Sequence, residues 1–337
     1  MNIFESLYYF GLSAKKYFAL KNPKKLPSKV ISIGNITVGG TGKTPAAIAV
    51  AEEAKRRGFN PVILTRGYKG SIKGPVFVTE GNGPLLSADE AGDEPVLMAN
   101  KLEGIPVVKC ADRYTGGMFA IQHFQSQISN LKSPILFILD DGFQHWRLHR
   151  DKNIVLIDIG NPFGNRKLLP FGRLREPLKS LQRADIIVLS KHSRSPDVNK
   201  KVFNEIRKYN PASPIFFSEH KPVSCRLLSG ERKPLSLVSG KKLFGFCAIA
   251  NPKSFEETIS SAGAELAGFE SYRDHYRYKS SDIMKIKENA GKCGADWIVT
   301  TEKDIIKLKH LDLPENIIII EIEFLAENGF LKAVFDI

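Results

Sequence analysis

The segment Gly34-Asn-Ile-Thr-Val-Gly-Gly-Thr-Gly-Lys-Thr44 lies between a short apolar run and an Ala-rich run. The first run, residues 30–33, predicts a strand, and the second, residues 45–54, predicts a helix. A glycine-rich loop between a strand and a helix is the context that a phosphate-binding loop requires. Glycine lets backbone N–H groups turn toward an anion, and the helix N-terminus adds partial positive charge there. The segment therefore predicts a nucleotide site in an α/β fold.

Two side chains of this loop have predicted roles. Lys43 would reach the β- and γ-phosphates, and the hydroxyl of Thr44 would face a Mg²⁺ ion. Thr37 stands where the general pattern has Gly, so the loop entry must avoid positive φ. The alternative, a glycine-rich turn without a ligand, does not explain Gly-Lys-Thr at this place. ATPases, GTPases and kinases share this loop, so it does not by itself select a function.

The composition indicates a folded protein with an anionic partner. The chain has 337 residues, of which 42% are hydrophobic and 25% are charged, which predicts about two domains. Its net charge of +13 suggests nucleic acid, an anionic membrane or a phosphorylated substrate. No basic run is interleaved with stacking aromatic residues, so we expect no nucleic-acid partner.

The four cysteines and the apolar runs exclude several other classes. The cysteines are far apart and lack metal-site spacing, which indicates free thiols in a reducing compartment. No secretory signal is evident at the N-terminus, and no apolar run approaches the roughly 20 residues of a membrane span.

Residues 2–20 predict an amphipathic helix, followed by a lysine cluster. Its apolar members are Phe4, Leu7, Tyr8, Leu12, Phe18 and Leu20. The lysines are Lys15, Lys16, Lys21, Lys24 and Lys25. Such a helix could lie in the surface of an anionic bilayer, or it could pack on the protein's own core. The pattern leaves both interpretations open.

A second motif is the segment of residues 134–141, an apolar predicted strand that ends in Asp140 and Asp141. An apolar strand that ends in a carboxylate is the Walker-B pattern, which would direct Asp140 at the Mg²⁺ ion held by Thr44. Asp141 would then point to the opposite side or into the loop. An ordinary strand end with an acidic turn is the alternative.

Three further segments carry candidate polar residues. Asp93 lies in an acidic loop before a helix, where a capping or solvated carboxylate is the alternative. In the loop of residues 160–177, Arg173 or Arg175 could neutralise developing charge and Glu176 could complete a Mg²⁺ shell, although a salt-bridged surface would look the same. His275 could carry a proton, although a lone loop histidine is more often structural or solvated.

The order of predicted elements indicates the domain organisation. Strands alternate with helices throughout, which predicts an α/β fold with a mostly parallel sheet flanked by helices. We expect the N-terminal amphipathic helix and a lead-in at 1–28, a P-loop kinase core at 29–210, a linker at 211–242 and a smaller C-terminal α/β domain at 243–337. After the last strand of the core, Ser190-Lys-His-Ser193 replaces the Asn/Thr-Lys-x-Asp of guanine-specific proteins, which weakens a GTPase interpretation.

Taken in order, the motifs resemble those of the tetraacyldisaccharide 4′-kinases, the lipid A 4′-kinases of Gram-negative bacteria. The resemblance begins at the glycine loop, and the further matching segments are Thr65-Arg-Gly-Tyr68, Gly92-Asp-Glu-Pro95, Ala111-Asp-Arg113, Leu139-Asp-Asp-Gly-Phe-Gln-His145, Leu174-Arg-Glu-Pro177, Ile249-Ala-Asn-Pro252, Asp274-His275 and Thr301-Glu-Lys-Asp304. Each segment is weak alone, but the ordered set covers nearly the whole chain. The family's own loop entry is poor in glycine, which fits Thr37.

The resemblance implies a function and a place of action. Proteins of this family use ATP and Mg²⁺ to phosphorylate the 4′-hydroxyl of an acylated glucosamine disaccharide phosphate. They act at the cytoplasmic face of the inner membrane. For this chain it implies a peripheral membrane protein that binds through its N-terminal helix, and we expect a monomer.

The resemblance also implies site residues. The residues implied for ATP are Thr37, Val38, Gly39, Gly40, Thr41, Gly42, Lys43 and Thr44. Those implied for the metal are Thr44, Asp140 and Glu176, and those implied for catalysis are Asp93, His275, Lys43 and Asp141. Asp93 and His275 resemble the family's catalytic pair, although Tyr276 stands where a second His is common. Because the pair belongs to different predicted domains, we expect a cleft that closes for chemistry.

Two rival functions remain from the sequence. A deviant-Walker switch ATPase shares the loop, but that class has a signature lysine where this chain has Val38. A nucleic-acid-binding NTPase is suggested by the charge alone, and steep salt dependence of binding would support it.

Overall fold

The computed structural model describes residues 3–127, 133–190 and 196–337. The strands in these ranges are β1 (Lys29–Gly34), β2 (Asn60–Thr65), β3 (Val76–Thr79), β4 (Val107–Lys109), β5 (Ile135–Asp140), β6 (Lys152–Asp158), β7 (Ile186–Ser190), β8 (Ile215–Leu227), β9 (Arg232–Lys233), β10 (Lys242–Cys247), β11 (Glu265–Ser271), β12 (Trp297–Thr301) and β13 (Ile317–Ala326). The helices are α1 (Ile3–Lys21), α2 (Lys43–Arg56), α3 (Ala88–Ala91), α4 (Asp93–Lys101), α5 (Arg113–Gln127), α6 (Pro196–Arg207), α7 (Pro252–Ser261), α8 (Ser280–Lys292), α9 (Glu302–Leu308) and α10 (Phe330–Phe335).

The chain divides into two compact units. The first comprises Met1–Glu219 and Leu325–Ile337, and the second comprises His220–Phe324. The chain passes from one unit to the other within β8 and returns within β13. Residues 211–242, predicted as a linker with strands of its own, contain β8 and β9. The two-unit division uses other boundaries than the predicted domains, and the predicted boundaries stay a prediction.

The sheet of the first unit has the strand order β8-β7-β6-β1-β5-β2-β4-β3. The neighbouring strands in this order pair in parallel except at one edge, where β3 runs antiparallel to β4. The central strands are almost entirely buried, because helices cover both faces of a parallel sheet. The predicted α/β fold with a mostly parallel sheet is confirmed.

The register of the central strands gathers polar residues at one edge. In the parallel pairing of β1 with β5, Ile33 lies opposite Asp140. The amide of Gly142 then donates to the carbonyl of Ile33 at 3.0 Å. The chain leaves β1 for the glycine loop at the point where β5 delivers its two aspartates. Ligands bind at this carboxyl edge in doubly wound sheets.

Helix α1 has its apolar residues on the outside. Its large exposed side chains include Ile3, Phe4, Leu7, Phe10, Tyr17, Phe18 and Leu20. The residues that face the first unit are spaced three or four apart: Glu5 is buried, and Tyr8, Leu12 and Lys16 are half-buried. The sequence grouped Tyr8 and Leu12 with the other apolar residues, but they lie on the opposite side of the helix. None of the described helices is both long enough and apolar enough to cross a bilayer.

In the second unit, β11, β10, β12 and β13 are neighbours and pair in parallel. Helices α7, α8 and α9 alternate with these strands, as predicted for a C-terminal α/β unit. On β13, Glu321 is buried and binds Ser224 and Arg226 of β8 at 2.8 Å and 2.9 Å. The core of this unit lies around Phe255, Ile259 and Val299.

Candidate active site

The glycine loop leads directly into α2. Gly42 precedes the helix with φ of 86° in the left-handed region, which costs glycine little. Inside the loop, the side-chain amide of Asn35 donates to the hydroxyl of Thr41 at 3.1 Å. Thr37 is not among the described residues with positive φ, so the loop entry is compatible with its branched side chain. Lys43 and Thr44 occupy the first turn of α2, where backbone N–H groups are available to an anion.

The entry of the loop pairs with residues 173–175. The amide of Val38 donates to the carbonyl of Arg173 at 2.8 Å, and the amide of Arg175 donates to the carbonyl of Ile36 at 2.8 Å. The guanidinium of Arg173 also donates to the carbonyl of Val38 at 3.1 Å. Gly39 has φ of 117°, and a Cβ there would collide with that guanidinium. Residues 173–175 therefore hold the loop in shape from its outer side.

Asp140 is buried and poorly compensated. Its side chain is 1% exposed, and no described residue donates a hydrogen bond to its Oδ1. Burial, together with the charges of Glu94 and Asp141, raises the pKa of Asp140 to about 7. A carboxylate in this state gains strongly from a bound cation.

Asp141 is held in the opposite electrostatic state. It adopts φ of 50°, unusual for a non-glycine residue and frequent at functional sites. Its two oxygens accept from Arg175 Nη1 at 2.8 Å and 2.7 Å, and Lys43 Nζ lies 3.7 Å from Oδ1. Burial opposes ionisation, but Lys43 and Arg175 outweigh it and hold the pKa of Asp141 at about 2. Of the two possibilities left open by the sequence, Asp141 points into the loop region.

Arg113 completes the charge balance, and sequence reasoning gave it no role. It is 3% exposed and donates to the carbonyls of Ala111 at 2.9 Å and Asp140 at 3.4 Å. Burial lowers its pKa, whereas Asp140 and Asp141 raise it. The only sequence signal was its place at the start of α5, within Ala111-Asp-Arg113.

Glu176 is buried in an ion pair. Its carboxylate accepts from Arg183 Nη2 at 2.9 Å and from Gln144 Nε2 at 3.0 Å. The guanidinium of Arg183 also lies over the ring of Phe143, 4.4 Å from its centroid. The predicted metal role of Glu176 stays a prediction, because in this state the carboxylate neutralises Arg183.

Asp93 lies at the N-terminus of α4, directly after Gly92 with φ of 98°. Its neighbour Glu94 is close enough to act on the pKa of Asp140, so the first turn of α4 lies near the acidic pair. The corner before α4 is fixed by Lys109, which is 3% exposed. Lys109 Nζ donates to the carbonyls of Glu90 at 2.7 Å and Ile72 at 2.8 Å.

His275 belongs to the second unit and lies in a tight turn with φ of 60°. Its Nε2 lies 3.8 Å from Asp274 Oδ2, and the other carboxylate oxygen of Asp274 lies 3.3 Å from Lys303 Nζ. Tyr276 stacks on Tyr272, and its hydroxyl donates to Asp282. The charged neighbour of the His275 ring is therefore Asp274, whereas Tyr276 contacts Tyr272 and Asp282.

The structure brings Lys43, Asp140 and Asp141 together at the edge of the first sheet, with Arg175 added to them. Asp93 lies on the same unit, and His275 on the other. The segment 190–193, which differs from the guanine-specificity motif, is described only at Ser190, because residues 191–193 lie outside the described ranges.

Comparisons with known proteins identify the family of this chain. A model of the family described as "Tetraacyldisaccharide-1-P 4′-kinase" matches residues 1–336. The chain belongs to the tetraacyldisaccharide-1-P 4′-kinase family. The tetraacyldisaccharide 4′-kinase of Syntrophus aciditrophicus is 39% identical over 351 residues, covering 100% of this chain and 92% of the relative. That of Geobacter metallireducens is 39% identical, covering 85% of this chain and 80% of the relative.

A solved structure of this kinase family has the same fold. The LpxK of Aquifex aeolicus, in a crystal structure described as an "apo" form in complex with ATP, superposes with a TM-score of 0.75 at 32% identity. The match covers 98% of this chain and 96% of that one. The resemblance inferred from the ordered motifs is therefore confirmed at the level of the family and the fold.

The residues at the sheet edge fit a divalent cation of the kind that kinases use. Asp140 offers a buried oxygen without a donor among the described residues, and its raised pKa reports uncompensated charge. Thr44 is buried in the first turn of α2, where this family of loops places its metal-binding hydroxyl. Mg²⁺ takes few protein ligands and completes its shell with water and phosphate oxygens. One carboxylate and one hydroxyl are therefore a sufficient protein contribution.

Proposed function

We propose that this chain transfers the γ-phosphoryl group of ATP to the 4′-hydroxyl of tetraacyldisaccharide 1-phosphate, forming lipid IVA in lipid A biosynthesis. The chain is a phosphotransferase with an alcohol acceptor. The observation that carries this conclusion is the combination of a complete glycine loop with the Asp140–Asp141 edge in a chain that matches this family over its whole length.

Residues 37–44 hold the phosphates of ATP in this proposal. Lys43 Nζ lies 3.7 Å from Asp141 Oδ1, which positions its ammonium group at the loop. Arg175 is bound to the same carboxylate and supplies a second cation. Phosphoryl transfer depends mainly on positioning and on neutralising charge, which these two groups provide.

Thr44 and Asp140 would hold Mg²⁺, and Glu176 is a further candidate once its pairing with Arg183 opens. When bound, Mg²⁺ neutralises charge on the phosphates as the phosphoryl group moves. Asp141 ionises at a pKa near 2, which makes it a poor proton acceptor at neutral pH. We therefore assign Asp141 to orienting Lys43 and Arg175 rather than to taking the proton.

Asp93 is the group that would accept the proton of the 4′-hydroxyl, with His275 as its supporting partner. Asp93 lies in the first turn of α4, beside Glu94. His275 Nε2 lies 3.8 Å from Asp274 Oδ2. Asp93 belongs to the first unit and His275 to the second, so their pairing in one reaction stays a prediction.

The outward apolar face of α1 supports a peripheral position at the cytoplasmic face of the inner membrane. The exposed residues Phe4, Leu7, Phe10 and Phe18 form one side of this helix, and lysines follow them in the sequence. Apolar insertion and attraction to anionic lipids would bring the site to a lipid substrate. We further expect a monomer with no nucleic-acid partner.

Phosphoryl transfer from γ-labelled ATP to tetraacyldisaccharide 1-phosphate in detergent micelles tests this function. We expect labelled lipid from the wild type, and a loss of about 100-fold or more in turnover for Asp93→Asn, since general base catalysis contributes about that much. Asp89→Asn, an exposed carboxylate four residues earlier, is the matched control and should keep normal turnover.

The rival switch-ATPase function makes the opposite prediction in the same assay. ATP would be hydrolysed while the lipid stays unlabelled, and Asp93→Asn would not differ from Asp89→Asn. That result would be consistent with the proposed nucleotide site and would contradict the proposed lipid substrate.

A further inference from the structure

Helix α1 is tied by hydrogen bonds to the segment that shapes the glycine loop. The buried carboxylate of Glu5 accepts from the amide of Leu168 at 3.1 Å. One helical turn later, the hydroxyl of Tyr8 donates to the carbonyl of Arg175 at 3.0 Å. The exposed face of α1 and the nucleotide site are thus connected through one short stretch of chain, residues 168–175.

Arg175 is the residue on which these contacts converge. Its carbonyl accepts from Tyr8, its amide donates to Ile36 at the entry of the glycine loop, and its guanidinium binds Asp141. Because Asp141 is also paired with Lys43, a displacement of the Arg175 backbone would be passed to both cations of the site.

Tyr8 is well placed for this role. It is half-buried and its ring packs against the core cluster that contains Ile36 and Leu174. Burial raises the pKa of its hydroxyl, so at neutral pH the group stays protonated and can donate. Its neighbour Tyr9, in the same helix turn, is exposed.

We propose that Tyr8 is a positioning residue that couples the seating of α1 to the placement of Arg175, so that the helix exposed for the membrane also organises the nucleotide site. This inference rests on the proposed function for its membrane and lipid partners. Its core claim concerns only α1, residues 168–175 and the glycine loop. Displacing α1 would therefore move Arg175 and weaken the binding of the γ-phosphate.

The variant Tyr8→Phe tests the coupling, because it removes one hydroxyl and keeps the packed ring. Tyr9→Phe removes the same hydroxyl from the exposed neighbour and is the matched control. With the full-length protein in mixed micelles, we expect Tyr8→Phe to lower kcat/KM for ATP about three- to tenfold, as for the loss of one net hydrogen bond. KM for the lipid and the urea unfolding midpoint should stay near wild type, and Tyr9→Phe should change none of these.

A second measurement separates positioning of Arg175 from a general structural effect. In an Arg175→Lys background, Tyr8→Phe should cause little further loss, because the group it positions has already been replaced. Hydrogen exchange should also rise at residues 168–176 and 36–39 in Tyr8→Phe alone. Full additivity of the two substitutions, or an effect of Tyr8→Phe confined to KM for the lipid, would overturn the inference.

Failure of the inference can be distinguished from failure of the proposed function. If wild-type protein hydrolyses ATP and labels no lipid, the proposed function fails, but the affinity for a fluorescent ATP analogue in Tyr8→Phe still tests the coupling. If wild type labels the lipid and Tyr8→Phe matches Tyr9→Phe in ATP affinity, turnover and exchange, the coupling is wrong and the function stands.

Discussion

Two adjacent aspartates at the end of β5 are set to opposite electrostatic states by their surroundings. Asp140 is enclosed and faces other carboxylates, which raises its pKa, whereas Asp141 meets Lys43 and Arg175, which lower its own. The first is therefore suited to receive a cation, and the second to organise cationic side chains. Because both residues are aspartates, their different roles follow from their surroundings and not from the residue type.

At the residue scale, we predict that Asp140→Asn stabilises the protein in the absence of nucleotide and metal. The unfolded carboxyl titrates near 3.8 and the folded one near 7, so above pH 7 the folded state carries the full cost of a buried charge. As the pH falls below 7, the folded state takes up the proton and the cost declines. It vanishes below pH 3.8, the pKa of this carboxyl in the unfolded chain. The difference between the two pKa values corresponds to a destabilisation of at most about 4 kcal/mol.

Thermal melts of wild type and Asp140→Asn at pH 8 and pH 5.5 check this prediction. The variant should melt higher at pH 8, with a difference that shrinks at pH 5.5, and added Mg²⁺ with ATP should stabilise only the wild type strongly. A variant that melts lower than wild type at pH 8 would show that Asp140 already has a compensating partner in the ligand-free protein.

Some residues of the site could be read from the sequence, and others could not. Lys43, Thr44 and Asp140 follow from local context, because a loop between strand and helix and an apolar strand ending in Asp fix their positions. Arg113 and Lys109 could not be found this way. Each is a cation buried by residues distant in sequence, and its importance depends on tertiary contacts that no local pattern encodes.

At the scale of elements, the predicted strands and helices are largely present. β1 and β5 begin and end within one or two residues of the apolar runs that predicted them. The edge strand β3 and the pairing of residues 173–175 with the glycine loop were not predicted. Both are short and depend on a partner strand rather than on their own periodicity.

The corner between α3 and α4 provides a test at this scale. Lys109 ties the carbonyls of Ile72 and Glu90 together and packs against Gly67 and Gly70. Lys109→Met would leave both carbonyls without this donor, which we expect to cost about 2 kcal/mol of unfolding free energy. Turnover should fall as well, because Asp93 follows this corner.

Urea denaturation and the micelle assay check this prediction together. Lys73→Met, which removes an exposed lysine from the same region, is the matched control and should behave as wild type. Equal stability of Lys109→Met and Lys73→Met would mean that the buried lysine is dispensable for the corner.

At the scale of the whole molecule, the net charge of +13 and the exposed apolar helix α1 are the two features that support the proposed membrane contact. In this proposal, charge attracts the protein to an anionic bilayer over a distance of about one Debye length, and apolar side chains then hold it there. The sequence left open whether α1 covers the core or faces outward. The structure shows that most of its aromatic and aliphatic residues are exposed, while Glu5, Tyr8 and Leu12 face the protein.

We therefore predict that Phe10→Ser weakens binding to anionic phospholipid vesicles at least about tenfold, because inserting a large apolar side chain is worth about 1.5 to 3 kcal/mol, or roughly 10- to 150-fold in affinity. Phe10 is 74% exposed. Met284→Ser removes a side chain that is 66% exposed in the second unit and should leave binding unchanged. Vesicle sedimentation at low and high salt provides the measurement, and equal binding by the two variants would argue against α1 as the membrane contact.

The central claim is that the chain phosphorylates one hydroxyl of a lipid disaccharide, and the position of the transferred phosphate tests it most directly. Wild-type protein would be given ATP, Mg²⁺ and either tetraacyldisaccharide 1-phosphate or its 4′-deoxy analogue, and the products analysed by ³¹P NMR. We predict a new phosphate monoester at the 4′-oxygen of tetraacyldisaccharide 1-phosphate and no new monoester on the 4′-deoxy analogue. A monoester on both lipids, or inorganic phosphate with unmodified lipid, would contradict it.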